Sequence, residues 1–177
     1  MSENKMRTIK VAKLTLNFGA GTDQKKLAKG VKLISMIAGK EPVRTKTTKR
    51  IPGWGLRPGL PIGCKLTIRG KEAEDLIIRF ISAKDNSLSL KNFDDNGNVS
   101  FGIAEYVDIP GTKYDPELGM LGLEVSITLE RAGFRLKNRK VMKRKIPLHH
   151  RISKDDAVTF FKDNYKITIK EEEEDEE

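Results

Sequence analysis

The stretch LTLNFGAGTDQKKLAKG, residues 14–30, changes register in its middle. Before Gly19 the residues alternate. Ala12, Leu14, Leu16 and Phe18 share one side and Lys13, Thr15 and Asn17 the other, which is the signature of a half-buried strand over residues 9–18. After Gly21 the period becomes helical. Thr22 or Asp23 supplies an N-cap, and Leu27, Val31, Ile34 and Ala38 form a stripe flanked by Leu33 and Ile37. Gly39 ends the helix and Pro42 prevents its resumption. A strand–glycine–helix junction of this kind invites a phosphate-loop reading, and the spacing rejects it. A P-loop needs glycine at Gln24 and a hydroxyl at Lys26, and a dinucleotide fingerprint needs its third glycine at Gln24. The two glycines read as a tight turn.

Outward from this stretch the same logic recurs. Threonine-rich residues 43–48 predict a second strand. Residues 51–63, IPGWGLRPGLPIG, predict a long loop because proline and glycine interrupt any regular element. CKLTIR (64–69) alternates again, with Leu66 and Ile68 inward and Lys65, Thr67 and Arg69 outward. A helix is predicted over 71–83, with Ala73, Leu76, Ile77, Phe80 and Ile81 on one face. The turn-former DDNGN (94–98) is expected to join strands near 88–93 and 99–107. Leu123, Val125, Ile127 and Leu129 oppose Glu124, Ser126, Thr128 and Glu130 on another strand. Ser153 with Asp155 and Asp156 opens a short helix, and YKITI (165–169) reads as a last strand. Alternating strands with amphipathic helices imply an α+β fold: two layers, a mainly antiparallel sheet, helices on one face and an open polar face. The expected organisation is one domain over residues 1–170, with the loop at 49–63 and a basic segment at 131–150, and a disordered acidic tail at 171–177.

Charge narrows the function. The 177 residues carry a net +9, and the last seven, EEEEDEE, are all acidic. The other 170 hold 34 Lys and Arg against 18 Asp and Glu, a net +16. Two segments lack acids altogether: Pro42 to Lys71 and Arg131 to Lys154. Such a balance points to a polyanion, and nucleic acid is the commonest. The open face offers hydroxyls, an amide and cations but no aromatics, which suits the backbone and shape of a structured RNA better than single-strand stacking.

No apolar run reaches the roughly 20 residues of a bilayer span and no signal-peptide pattern opens the chain, so no membrane partner is expected and the protein reads as cytoplasmic. Cys64, the single cysteine, cannot form an internal disulfide. His149 and His150 are adjacent and cannot act as a same-face metal pair; they read as exposed or RNA-facing. Asp94 and Asp95 read as turn formers. No catalytic residue, metal site or cofactor is assigned, and the protein is not expected to be an enzyme.

LNFGAG (16–21), GKEPVRTKTTKR (39–50), LRPGLPIGCKLTIRG (56–70), FDDNGNVSFGIAEY (93–106) and GMLGLEVSITLERAGFRL (119–136) together resemble the family of large-subunit ribosomal protein five. The resemblance runs from about Thr8 to Thr168. The basic stretch after Arg131 and the helix SKDDAVTFFKDN (153–164) are similar to its archaeal and eukaryotic branch. It implies a structural protein that binds 5S rRNA and helps attach it to the large subunit in the central protuberance. The implied 5S rRNA contacts are Asn17, Thr67 and Arg69, with Lys40 standing where many members have glutamine, and Thr45 and Thr47 on the adjoining strand. The loop from Lys49 to Gly63 is implied to reach P-site tRNA through Lys49, Arg50, Trp54 and Arg57. Arg135, Lys137, Arg139, Lys140, Lys143, Arg144 and Lys145 are candidates for contact with large-subunit rRNA, or with a small-subunit protein across an intersubunit bridge. The alternative reading is a non-ribosomal structured-RNA-binding or RNA-chaperone module.

Overall fold

The fold is built around one long strand, as seen in a computed structural model that describes residues 4–170. β1 (Ile9–Gly19) is paired on both sides. One neighbour is β3 (Pro61–Ile68) and the other β6 (Leu123–Arg131), both antiparallel. β2 (Val43–Lys46) extends the sheet beyond β3, and β5 (Asn98–Ile103) extends it beyond β6, giving the order β2-β3-β1-β6-β5. All four pairings are antiparallel, as the alternation requires.

The inner face is covered by α1 (Gln24–Ala38) and α2 (Lys71–Ser82). Leu14, Leu16 and Phe18 of β1 meet Leu66 and Ile68 of β3, Val125 and Ile127 of β6, and Leu33, Ile34, Ile77 and Phe80 of the helices in one buried cluster. Each fully buried aliphatic or aromatic side chain of this kind contributes roughly 1.5–3 kcal/mol. α1 approaches β1 at Gly30, where an added Cβ would fall 2.2 Å from the Phe18 ring. Its caps match the sequence: Asp23 accepts from the Lys25 and Lys26 N–H groups, and Gly39 closes the helix at φ 65°.

The C-terminal arm forms a smaller unit. α3 (Lys154–Tyr165) starts with a capping box between Ser153 and Asp156 and buries Phe161 edge-on against Phe93. β7 (Thr168–Lys170) pairs in parallel with β4 (Ser87–Ser89). The tail at 171–177 lies outside the described residues.

Several boundaries differ from the sequence reading. Ala12 is not an inward residue of β1: the register shifts between Val11 and Lys13, so Val11 packs beside Leu129 while Ala12 is the extra residue of a bulge. The residues 61–63 belong to β3 rather than to the loop. Pro61 sits at the strand's start, where its missing N–H is harmless, and Gly63 pairs with Gly19 and Thr45. β2 ends at Lys46, after which Thr47 still exchanges backbone bonds with Leu60 and Gly59. The expected hairpin around DDNGN is reduced to a single Phe93–Val99 bridge, because β4 pairs with β7 instead. β5 ends at Ile103, before a 3-10 turn at Tyr106–Asp108. Tyr165, expected in the last strand, closes α3.

Gly30→Ala tests the closest helix–sheet contact. The added methyl must displace the buried Phe18 ring, a strain of about 1–3 kcal/mol that the roughly 1 kcal/mol helix preference of alanine offsets only in part. The expected result is a lower urea midpoint with an unchanged m-value.

Candidate nucleic-acid interface

Because β1 is central, its outward residues align with those of four other strands. One row runs Thr67, Thr15, Ser126, Ser100, four hydroxyls on four adjacent strands. The next runs Val43, Lys65, Asn17, Glu124, Gly102. A third, towards the start of β1, places Lys13 opposite Thr128 and Asn98. Lys65, Thr67, Ser100, Gly102 and Glu124 are exposed, whereas Lys13, Thr15 and Asn17 are half-buried. Arg69 follows β3 by one residue and is exposed, just before Gly70 turns the chain into α2 at φ 73°. This surface can donate and accept hydrogen bonds along a sugar–phosphate backbone from a rigid frame.

The structure therefore brings together Asn17 and Thr67 through adjacent strand positions, and leaves Arg69 exposed just beyond the end of β3. Thr45 joins them across Gly63: its Oγ1 would lie 3.0 Å from a Cβ built there, so glycine makes room for the hydroxyl on this face. Thr47 is engaged locally, its Oγ1 donating to the Lys49 carbonyl and accepting from the Lys49 N–H. Lys40 is paired with Glu72 at the start of α2.

Two acids on this face escaped the sequence reading of it. Glu124 Oε2 accepts from Asn17 Nδ2 at 2.8 Å, and Glu130 pairs with Lys10 at 3.4 Å. Their outward direction was readable from the alternation of residues 123–130. Their position beside Asn17 and Lys10 depends on β6 pairing with β1, a contact between residues 107 apart in the Asn17–Glu124 case.

The loop of the first acid-free segment lies at one end of β1, and the second segment begins at the other. Gly19 pairs with Gly63 at one end, and Ile9 pairs with Arg131 at the other. A strand of 11 residues sets these two pairs about 35 Å apart at roughly 3.3 Å per residue, while β3 carries the first segment back along β1 to Ile68, the partner of Leu14.

At the Gly19 end the loop is tighter than its composition suggests. Ile51 bridges Leu56, which is buried, and Pro52–Trp54 makes one 3-10 turn closed by Gly55 at φ 66°. That turn leaves Trp54 73% exposed, with Lys49, Arg50 and Arg57 exposed around it. At the other end, Phe134 is buried and Lys137 Nζ lies 4.8 Å from its ring centroid. Arg139 Nε donates to the Met142 carbonyl, and Ile146 is buried, which pins the segment to the domain. Arg135, Lys140, Lys143, Arg144 and Lys145 are exposed. His149 is exposed, but His150 is not free for RNA: its ring packs edge-on to Phe134 and its Nε2 lies 2.9 Å from the Ala132 carbonyl.

Arg131 heads this segment yet serves the fold. Its side chain is 11% exposed and bonds Asp156 at 2.9 Å and the Arg151 carbonyl at 2.9 Å. Burial disfavours the Asp156 carboxylate, but Ser153 and Arg131 outweigh it and hold its pKa below the ordinary value. Burial pushes the Cys64 thiol up. Among the described residues no three His, Cys, Asp or Glu gather as a metal site, and no helix is long and apolar enough to cross a membrane.

Comparison with known proteins fits this geometry. Residues 4–57 match the family model described as ribosomal protein L5, and residues 61–160 match the model of the same ribosomal family's C-terminus. The chain belongs to the ribosomal protein L5 family. It is similar to the "large ribosomal subunit protein uL5" of Sulfurisphaera tokodaii, at 44% identity over 95% of this chain and 96% of the relative. The same protein of Sulfolobus acidocaldarius is 44% identical over 96% and 95%, and that of Methanosphaera stadtmanae 40% over 94% and 99%. These relatives are archaeal structural ribosomal proteins, as the family resemblance of the sequence implied, and not enzymes. The L5-family chain described here is a ribosomal protein of the large subunit.

The Arg131–Asp156 pair gives a pH-dependent prediction. Because the folded-state pKa of Asp156 is depressed, its contribution is present above the unfolded carboxylate value near 3.9 and is lost as pH falls through the folded value. Asp156→Asn should cost about 1–3 kcal/mol at pH 7 by leaving the Arg131 charge unpaired. Urea titrations from pH 7 to pH 3 should show the gap between variant and wild type closing at the acid end.

Proposed function

We propose that the open face of the sheet binds 5S rRNA and helps attach it to the large subunit in the central protuberance. What supports this reading is the row of four hydroxyls beside Lys65 and Asn17, a polar surface held rigid by five antiparallel strands within a strongly basic domain. Asn17, Thr67 and Arg69 make the principal contacts, with Thr45 at the margin. Thr47 and Lys40 contribute only by releasing their present partners, Lys49 and Glu72. The turn carrying Trp54, with Lys49, Arg50 and Arg57, contacts P-site tRNA from the Gly19 end of β1. Arg135, Lys137, Arg139, Lys140, Lys143, Arg144 and Lys145, at the far end of β1, meet large-subunit rRNA or a small-subunit protein across the intersubunit bridge. The protein acts in the cytoplasm by positioning RNA, without a chemical step or cofactor.

Filter binding at near-physiological salt tests the reading. The expected outcome is a strong preference for 5S rRNA over an unrelated duplex. Asn17→Ala and Arg69→Ala should each weaken the 5S complex about five- to fiftyfold, the range for one lost hydrogen bond to a charged or polar group. Lys140→Ala should instead weaken both RNAs alike and flatten the salt dependence. Equal affinity of the wild type for both RNAs defeats the assignment. For the loop, Trp54→Ala should leave 5S binding unchanged and reduce tRNA binding; a loss of 5S binding instead would place that turn on the other RNA.

A further inference from the structure

We infer that Glu124 is a positioning residue that makes one end of the open face selective for hydrogen-bond donors of the RNA. This rests on the proposed RNA-binding role of that face. An ionised carboxylate only accepts hydrogen bonds, so its 2.8 Å contact with Asn17 fixes the amide with Nδ2 turned towards Glu124. Asn17 Oδ1 then has no partner among the described residues and is left as an acceptor. Asn17 Oδ1 is the acceptor so presented, and Asn17 and Glu124 both line a hollow of about 370 Å³.

Three glycines help line that hollow. Gly19 continues β1, Gly102 is the cross-strand partner of Glu124, and Gly122 lies two residues before it. At Gly19 and Gly102 a Cβ would meet nothing within 4 Å, so this end of the face is open to solvent. At Gly122 a Cβ would collide with the Ala104 and Ile103 carbonyls at 2.6 Å, so glycine there is required by close backbone approach. Lys26 also lines the hollow, and Lys65 flanks Asn17 on the far side from Glu124. The row therefore runs from cation through amide to carboxylate. Phosphate is favoured at Lys65 over Glu124, which orders a strand crossing the face. The group entering the hollow is one that donates from an A-form minor groove: a ribose 2′-hydroxyl or the guanine 2-amino group.

Two variants separate orientation from charge. Glu124→Gln removes the charge but keeps an acceptor for Asn17 Nδ2; Glu124→Ala removes both. Loss of the acid alone should raise affinity for any RNA equally in the two variants. The probes are unmodified 5S rRNA, transcripts with 2′-deoxy segments, and transcripts with inosine in place of guanosine. Wild type is expected to bind one of the modified sets about five- to tenfold more weakly than the parent RNA. That penalty should persist in Glu124→Gln and vanish in Glu124→Ala; which set carries it tells sugar from base. Absence of any penalty in the wild type, or an equal penalty in Glu124→Ala, overturns the inference. A wild type that binds 5S rRNA no better than an unrelated duplex defeats the underlying function instead, and the penalty measured on that duplex still decides the role of Glu124. Thermal melts of both variants confirm folding.

Discussion

The constraint on which the rest of the molecule depends is the two-sided pairing of β1. A strand paired on both edges has only its two faces left to use, and the sequence assigns them without conflict. Leu14, Leu16 and Phe18 enter the core, while Thr15 and Asn17 stay outside. A slip of one residue against either neighbour would exchange the two sets, exposing the apolar side chains and burying the polar ones. The bulge at Ala12 adjusts this register near its far end, so that Val11 packs beside Leu129 and Lys10 reaches Glu130. The same register that builds the core thus composes the polar face.

Much of this was legible because alternation and capping are local. The inner residues of β1, β3 and β6, the stripes of α1 and α2, and the Asp23, Gly39 and Ser153 caps follow from residues within a few positions of one another. What could not be read were pairings between distant segments. β4 is a short apolar run after a helix, and nothing nearby distinguishes a hairpin with β5 from a parallel pair with β7. Likewise, Pro61 and Gly63 look like loop residues until β1 and β2 are placed on either side of them. Ala12 failed for a related reason, since a bulge is decided by two strands together.

The same division holds for the candidate site. Lys65, Thr67 and Asn17 were readable as outward residues of one surface, because each sits on a clean alternation. The resemblance to a known family implied the partner now proposed for them, and the residues themselves indicated only a preference for structured RNA. Arg131 and His150 show where charge counting misleads: both lie in a basic segment, yet each is spent on holding that segment to the domain. Net charge describes what a protein attracts, not which of its cations remain available.

The acids on the open face carry this argument furthest. A surface optimised only for affinity to a polyanion would have no reason to keep Glu124 and Glu130 among its lysines. Long-range attraction is already supplied by a net +16 over the first 170 residues, so local carboxylates cost little in encounter and can impose geometry at contact. Lys10 offsets Glu130, and the Asn17 amide occupies one oxygen of Glu124. What remains is a face whose attraction is general and whose fine pattern is not. That division suits the proposed role of choosing one folded RNA among many of equal charge.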